Sequence, residues 1–327
     1  MVKRFSLFVL AALLAISLVC VFLPISAPSL SVSIAPGASV RAVSKLLEKQ
    51  IFVPWWALEW AARATGESKR LKTGTYTLSE AQSLATFWGA LNDAKPEMSQ
   101  VKLLEGWTFK QIRAAIDAAS DLKRDTQGQT SGQIMALLGA PQLHPEGRFF
   151  PDTYAVAAGS SDLLVYKAAF EKMQKTAARV WASRDAATPL KSVDDLINLA
   201  AIIEKETASP TERRWVASVF HNRLKINMRL QTDPTVIYGM GAAYQGRIRK
   251  VDLETDTPYN TYTRNGLPPT PIAAPSLAAL EAAMHPEATA FFYFVAKGDG
   301  TTGSYFSATL PEHNRAVAQY LANRRGQ

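Results

Sequence analysis

The stretch "LAAIIEKETASPTERRWVASVFHNRL", residues 199–224, contains an aliphatic run that ends on two carboxylates, Glu204 and Glu206. Apolar residues at helical spacing predict a helix over residues 192–207. Helices that run into a protein core rarely carry glutamate, because a buried carboxylate loses its hydration. The two glutamates at the end of this helix are therefore candidates for function.

Helical geometry separates the two glutamates. The apolar face of the predicted helix consists of Leu196, Leu199, Ile202 and Ile203, with Ile197 at its flank. At about 100° per residue, Glu206 lies about 50° from the centre of this face, and Glu204 lies more than about 100° from it. This geometry favours Glu206 for a buried, functional position, with Glu204 as the second choice. The alternative is that both carboxylates pair with Lys205, Arg213 or Arg214 on the surface.

The segment "TASPTE", residues 207–212, predicts a break after the first helix. Ser209 and Glu212 fit a capping box, and Pro210 fits the first turn of a second helix. Glu206 then lies in the last turn of the first helix, where burial and the negative end of the helix dipole both raise the pKa of a carboxyl group. A carboxyl group that stays protonated near neutral pH is suited to general-acid catalysis.

The composition indicates a globular protein with a basic surface. The chain has 327 residues, of which 47% are hydrophobic and 20% charged, and a formal net charge of +8. This balance fits an anionic partner such as an acidic polymer or a membrane surface, and ordinary solvated surface is the alternative. The four histidines lie far apart, and no zinc-protease, phosphate-loop or serine-nucleophile motif occurs. We therefore expect no metal and no cofactor.

Residues 5–23, "FSLFVLAALLAISLVCVFL", form an uncharged apolar run that is long enough to span a bilayer as a helix. Lys3 and Arg4 precede it, which predicts a single-pass protein of the inner (plasma) membrane with its body in the periplasm or extracytoplasmic space. A cleaved signal peptide is the alternative. The single cysteine, Cys20, lies in this run and is interpreted as an apolar filler. An extracytoplasmic body makes nucleic acid, NAD and ATP poor candidates for partners.

The pattern of elements predicts an α+β fold in three parts. Residues 1–28 form the cytoplasmic N-terminus and the transmembrane anchor. Residues 29–120 alternate short strands and helices, starting with the strand "LSVSI", and predict a small α+β module. Residues 121–327 combine helices with short strands and Pro/Gly-rich loops, which predicts a larger domain of mixed α/β type.

Several strings, in the same order along the chain, resemble the YceG-like family of endolytic murein transglycosylases. They are "LKTGTY" (71–76), "LLEGWT" (103–108), "EGRFFPDTYAV" (146–156), "IIEKET" (202–207), "MRLQTDPTVIYGMG" (228–241) and "DLETDTPYNTYTRNGLPPTPIAAPS" (252–276). The resemblance extends over nearly the whole chain. It implies a membrane-anchored enzyme with a LysM-like N-terminal module and a catalytic domain with a lysozyme-like helical active-site core.

The resemblance also implies the reaction. Such enzymes cut peptidoglycan strands between N-acetylmuramic acid and N-acetylglucosamine without water and leave a 1,6-anhydro sugar. The family's catalytic glutamate lies in the E-K-E-T string, and the wider pattern of Glu followed by Ser or Thr maps onto Glu206 and Thr207. Glu204 remains the fallback. Association with peptidoglycan synthases, at which the enzyme terminates growing strands, is the further expectation.

Two of these strings supply groups that bind sugars. "LQTDPTVIYG" contributes Gln231, Thr232, Asp233 and Tyr238, and "YNTYT" contributes Asn260, Thr261 and Tyr262. Amides and hydroxyls bind sugar hydroxyl and acetamido groups, and aromatic rings stack on pyranose faces. The alternatives are that Asp233 initiates a turn and that Tyr238 belongs to the core.

Two other functions compete with the transglycosylase. One is a non-catalytic peptidoglycan-binding scaffold of the cell-wall synthesis machinery. The other is a hydrolase that uses the same site with water. The product distinguishes them, because a transglycosylase leaves anhydro ends, a hydrolase leaves reducing ends and a scaffold leaves the strand intact.

Overall fold

The computed structural model describes residues 21–26, 29–35, 37–51, 53–207 and 209–325. The predicted membrane span, apart from its last three residues, and Cys20 lie outside these residues. Among the residues that the structure describes, no helix has the length and apolar character needed to cross a membrane.

The described chain has mixed α and β structure. Its strands are β1 (Leu30–Ile34), β2 (Gly74–Leu78), β3 (Met98–Lys102), β4 (Thr153–Ala157), β5 (Tyr293–Ala296) and β6 (Ser304–Ser307). Its helices are α1 (Val40–Ile51), α2 (Trp55–Ala64), α3 (Phe87–Asp93), α4 (Phe109–Asp117), α5 (Ser131–Leu137), α6 (Leu163–Ala182), α7 (Val193–Glu206), α8 (Arg213–Lys225), α9 (Asp233–Met240), α10 (Lys250–Glu254), α11 (Leu277–Met284) and α12 (Leu310–Arg325).

The strands form three two-stranded sheets, β1–β2, β3–β4 and β5–β6. In the first, Leu30 pairs with Leu78 in antiparallel register, and in the last, Tyr293 pairs with Ser307 in the same sense. These sheets are small, so the helices provide most of the packed surface of the protein. The expected α+β class is confirmed.

The chain divides into two compact units. Unit 1 comprises residues 1–100, 119–125 and 155–164, and unit 2 comprises residues 101–118, 126–154 and 165–327. This division differs from the predicted boundary at residue 120, because segments on both sides of that boundary belong to each unit.

Unit 1 follows the order β1–α1–α2–β2. Alternating residues of β1 face its core, and α1 contributes Val43 and Leu47 from adjacent turns of one face. Ser39 caps α1, since its hydroxyl accepts a hydrogen bond from the Ala42 N–H at 3.2 Å. Trp88 is buried, and its indole N–H donates to the Leu58 carbonyl at 2.8 Å, so this aromatic side chain is satisfied inside the core.

Unit 2 is built around α7. Every residue of this helix from Leu196 to Ile203 is buried. Helices α8 and α11 pack on it, contributing residues such as Phe220 and Leu280 to the same core. A helix that is apolar on all sides must be surrounded by other elements, and this explains why α7 lies at the centre of the unit.

Two local predictions need correction. Pro210 does not lie in the first turn of the second helix, because α8 begins only at Arg213. Ser209 and Glu212 do not form a capping box: α8 begins at Arg213 with Glu212 as its N-cap residue, which makes no side-chain cap bond. The Glu212 carboxylate instead accepts hydrogen bonds from the N–H and hydroxyl of Ser304, at 2.7 and 2.9 Å. A distant partner on β6 thus competes successfully with the local cap.

Candidate active site

Helix α7 delivers both glutamates to one end of the core of unit 2. Its start is fixed by Ser192, whose hydroxyl accepts the Asp195 N–H at 3.1 Å. Its end is fixed by Thr207, which has extended backbone angles. Glu206 is therefore the last helical residue, within the last turn in which the sequence placed it, and both Glu204 and Glu206 are partly buried.

Glu204 serves as a structural link. Its Oε2 accepts hydrogen bonds from the Ser276 N–H at 3.0 Å and from the Ser276 hydroxyl at 2.5 Å. Ser276 is also the N-cap of α11, because its hydroxyl oxygen accepts the Ala279 N–H. Glu204 thus fastens the end of α7 to the start of α11.

The turn around Gly106 reinforces this junction. Gly106 has a φ of 71°, which a residue with a Cβ adopts only with strain. Its N–H donates to the Ala274 carbonyl at 2.8 Å, and the Ala274 N–H donates to the Trp107 carbonyl at 2.7 Å. Lys205 donates to the Gly106 carbonyl at 3.4 Å. The strings at residues 103–108, 202–207 and 252–276 therefore meet beside the last turn of α7.

Glu206 points to a different set of residues. Its Oε1 accepts a hydrogen bond from the hydroxyl of Thr232, a residue that is 2% exposed. Thr232 is itself held by its N–H, which donates to the Thr261 hydroxyl at 3.1 Å. Within the described residues, the other carboxylate oxygen, Oε2, has no hydrogen-bond partner. One oxygen of Glu206 is thus positioned, and the second remains available.

Burial raises the pKa of Glu206 to about 7, and the negative charge of Asp233 acts in the same direction. The hydrogen bond from Thr232 and the positive charge of Arg223 oppose this shift. The sequence argument predicted a raised pKa for this carboxyl group, and the direction is confirmed. At neutral pH such a group is present in both protonation states, as an acid that must later act as a base requires.

Arg223 is a buried cation that the sequence argument did not identify. It is 7% exposed, and its Nε and Nη1 donate to the carbonyls of Phe292 and Leu230, each at 2.7 Å. Its guanidinium also lies 5.5 Å from the ring centroid of Tyr293. In the described part of the chain it forms no ion pair with a carboxylate. Its charge is therefore left to act on the nearby Glu206.

Three of the predicted sugar-binding residues surround this carboxyl group. Gln231 is exposed and has a φ of 49°, and its N–H donates to the Thr261 carbonyl at 3.1 Å. Asp233 is exposed and accepts a hydrogen bond from the Tyr262 hydroxyl at 2.5 Å. The exposed Gln231 and Asp233 and the partly buried Tyr262 thus offer polar groups that a ligand could contact.

Asn260 and Thr261 are placed differently, because both are fully or almost fully buried. The Asn260 amide donates to the carbonyls of Asp252, Leu253 and Thr255, and its Oδ1 accepts the Tyr262 N–H at 2.8 Å. We therefore propose that Asn260 and Thr261 hold the loop that carries Tyr262, in place of the direct sugar contacts predicted for them.

Tyr238 contacts a second buried carboxyl group, that of Glu146. Its hydroxyl donates to Glu146 at 3.0 Å, and its ring packs edge-on against Tyr259 at 4.9 Å. Glu146 is 4% exposed and also accepts the Phe109 N–H at 2.8 Å. Burial raises the pKa of Glu146 to about 7. The string "EGRFFPDTYAV" contained this residue, but no local pattern marked it as buried.

No group of three or more His, Cys, Asp or Glu side chains suited to a metal ion occurs among the described residues. His221, to which the sequence assigned no role, is buried, and its Nε2 lies 2.7 Å from the Ala283 carbonyl.

Comparison with known proteins identifies the family. The sequence profile of the YceG-like family matches residues 32–319. A protein of Bacillus subtilis named endolytic murein transglycosylase is 32% identical over 320 residues, covering 91% of this chain and 87% of the relative. A protein of the same name from Streptococcus pneumoniae is 26% identical, and this chain spans only 60% of its length.

The fold has a counterpart of known structure. A crystal structure of a yceG-like protein from Listeria monocytogenes matches with a TM-score of 0.54 and 29% identity, covering 88% of this chain and 98% of the other. The chain belongs to the YceG-like family.

Proposed function

We propose that this chain is an endolytic murein transglycosylase, a carbon–oxygen lyase that acts on peptidoglycan. It cleaves the bond between N-acetylmuramic acid and N-acetylglucosamine and leaves 1,6-anhydro ends. The assignment of its acid rests on the environment of Glu206. This carboxyl group is the last residue of the core helix, has a pKa of about 7 and keeps one oxygen without a partner among the described residues.

In the first step, protonated Glu206 donates its proton to the glycosidic oxygen as the bond to C1 of the muramic acid breaks. The resulting carboxylate is stabilised by the Thr232 hydroxyl and by the positive charge of Arg223. The negative charge of Asp233, which acts on the same carboxyl group, stabilises positive charge that develops on the sugar ring.

In the second step, the Glu206 carboxylate removes the proton from the C6 hydroxyl of the same muramic acid, and that oxygen forms the new bond to C1. The nucleophile belongs to the substrate, so proximity replaces a second catalytic carboxylate. Glu206 ends the cycle protonated, ready for another turnover. The polar groups of Gln231, Asp233 and Tyr262 hold the sugar.

The N-terminal part determines where the enzyme acts. We propose that residues 5–23 anchor the chain in the inner membrane and that both units lie outside the cytoplasm. The β-α-α-β order of unit 1 supports the LysM-like module predicted for residues 29–120, which would bind glycan. Peptidoglycan synthases are the proposed partners, with strand termination as the role.

The product tests this function. The purified full-length chain is incubated with peptidoglycan, and the released fragments are identified by mass spectrometry. We expect anhydro-muramyl ends from the wild type and from Glu204→Gln, and none from Glu206→Gln, which keeps the side-chain size but removes the acid.

The other outcomes each overturn a specific part of the proposal. Anhydro ends that disappear only in Glu204→Gln would transfer the catalytic role to that residue. Reducing ends would identify a hydrolase. Glycan binding without any released fragment would identify the scaffold.

A further inference from the structure

A groove of about 570 Å³ lies in unit 2, between the end of α6, the start of α8 and one face of α11. This face consists of Ala278, Glu281 and Ala282 of α11, with His285 following directly after the helix. None of the groups used in the proposed reaction lines the groove. The groove is therefore a separate feature of the same unit.

Three arginines line this groove, Arg179, Arg213 and Arg214, against one acidic residue, Glu281. Arg214 is engaged, because its Nε donates to the His285 carbonyl at 2.8 Å and its Nη1 pairs with Glu287 at 3.2 Å. Arg179 and Arg213 form no ion pair with any described residue. The groove thus has positive charge that is not compensated within unit 2.

Of the two unpaired arginines, Arg213 also has an unsatisfied hydrogen-bond donor. Its Nε is buried and has no hydrogen-bond partner among the described residues. A buried donor without an acceptor is unfavourable, so such a group generally meets a ligand or a water. The acid that precedes it, Glu212, cannot serve, because its carboxylate is bonded to Ser304. No described residue therefore supplies an acceptor to this Nε, and the side chain as a whole lines the groove without an ion pair.

The distance to the proposed catalytic residue limits what that ligand can be. Pro210 lines the groove and follows Glu206 by four residues, so the two Cα atoms are at most about 14 Å apart. An extended peptide of three or four residues covers about 10–14 Å. A peptide attached to the sugar at Glu206 is therefore long enough to enter the groove.

We infer that this groove is a subsite for the peptide stem of the peptidoglycan strand, in which Arg179 and Arg213 bind the carboxylates of the peptide and Glu281 binds the amine of its diamino residue. The inference rests on the proposed function for its substrate. It adds a recognition element for the peptide to a site that otherwise contacts only sugar. Guanidinium groups suit this role because their planar N–H pairs match a carboxylate.

Binding of a soluble peptide tests the inference without requiring catalysis. The affinity of the purified full-length chain for L-Ala-γ-D-Glu-L-Lys-D-Ala is measured by calorimetry, beside the same peptide with its carboxylates converted to amides. We expect the free acid to bind more tightly, and Arg179→Gln and Arg213→Gln each to weaken it about tenfold, the loss of about one charge-assisted hydrogen bond. Arg325→Gln, an exposed arginine on α12, is the matched control and should bind as the wild type does.

Several results would overturn the inference. They are equal affinity of the wild type and both arginine variants, equal affinity for the amidated peptide, and binding of inorganic phosphate at the groove in the absence of peptide binding. Thermal unfolding of the variants establishes that a weaker affinity does not come from loss of the fold.

Cleavage provides the second arm. With peptide-bearing strands, Arg179→Gln and Arg213→Gln should raise KM and leave kcat unchanged, and with strands stripped of peptide by an amidase they should match the wild type. An unchanged KM on both substrates would contradict the subsite. Absence of anhydro ends from the wild type on both substrates would reject the proposed function instead, and the binding arm would still decide the inference.

Discussion

Glu146 and Glu206 lie in two regions of unit 2, and burial raises the pKa of each to about 7. The hydrogen bonds around the two carboxyl groups differ. Around Glu146, the Phe109 N–H and the Tyr238 hydroxyl each supply a hydrogen bond, and the Phe109 ring stacks on Phe149 at 5.2 Å. Around Glu206, Thr232 is the only donor among the described residues. The structure thus leaves one oxygen of Glu206 without a described partner, whereas both oxygens of Glu146 accept hydrogen bonds.

The charges near the two carboxyl groups also differ. Glu206 is influenced by the positive charge of Arg223 and the negative charge of Asp233. No charged side chain contributes to the raised pKa of Glu146, which results from burial and is opposed by its hydrogen bonds. The raised pKa therefore does not distinguish the two carboxyl groups. The free oxygen and the neighbouring charges are the features that favour Glu206 as the proposed acid.

The largest expected effect is on activity, which should be lost on substitution of Glu206 but not of Glu146. Glu206→Gln should lower kcat by at least about 10³-fold, because it removes the proton donor and acceptor of both steps. Glu146→Gln should leave kcat within about fivefold of the wild type, since the amide oxygen can still accept the Phe109 N–H. The measurement is the rate of formation of anhydro ends. A similar loss of kcat in both variants would contradict the assignment of Glu206 alone as the proton donor.

The next effect is on stability and concerns how the free energy of unfolding depends on pH through Glu146. The pKa of Glu146 is raised from 4.5 to about 7 in the folded protein. The stability contributed by this protonated group is fully present below pH 4.5 and is lost as the pH rises through about 7, by up to about 3 kcal/mol.

Urea unfolding at pH 5 and pH 8 measures this loss. The free energy of unfolding should decrease more between these pH values in the wild type than in Glu146→Gln, which cannot titrate. Glu171→Gln, at an exposed position of α6, is the control and should follow the wild type. Identical pH dependence in all three proteins would show that Glu146 titrates normally.

A third prediction concerns the charge beside Glu206. Arg223 lowers the pKa of that carboxyl group, so Arg223→Met should raise it and keep Glu206 protonated to higher pH. The basic limb of the kcat/KM profile should move upward by about 1 pH unit. Arg223→Lys retains the charge and should show a smaller displacement. A lower rate with an unmoved profile would mean that Arg223 only supports the fold.

The smallest effect on the rate concerns the hydroxyl that holds Glu206. Thr232→Val removes the donor to Oε1 and should reduce kcat several-fold. Because this hydrogen bond lowers the pKa of Glu206 more than the charge of Arg223 does, the basic limb should rise at least as far as in the arginine variant. Thr232→Ser restores the hydroxyl and should recover most of the activity. If the serine variant were as slow as the valine variant, packing of the methyl group would be the cause.

Much of this architecture was predictable because it depends on local patterns. The aliphatic spacing of α7 predicted its course, and the break at residues 207–212 predicted that Glu206 lies in its last turn. The cap at Ser39 and the turn at Gly106 follow from residue type. The choice of Glu206 over Glu204 came from helical geometry, and the contacts of Glu204 with Ser276 give that second glutamate a structural role.

Other features could not be read from local sequence. Glu212 has the spacing of a capping box, yet its partner is Ser304, 92 residues away. Asn260 has the chemistry of a sugar ligand, yet three backbone carbonyls from residues 252–255 take up its amide. In both cases a tertiary or loop contact replaced the interaction that the residue type suggested.

The sequence by itself determined the family, the order of the elements and the placement of one glutamate at the end of an apolar helix, because helical periodicity and chain order are local properties. Only the tertiary structure decided which carboxyl groups are buried, which donors hold them and which charges are left unpaired. Those properties depend on residues far apart in the chain, as between Glu146 and Tyr238, and burial and hydrogen bonding fix a pKa only after these residues have come together.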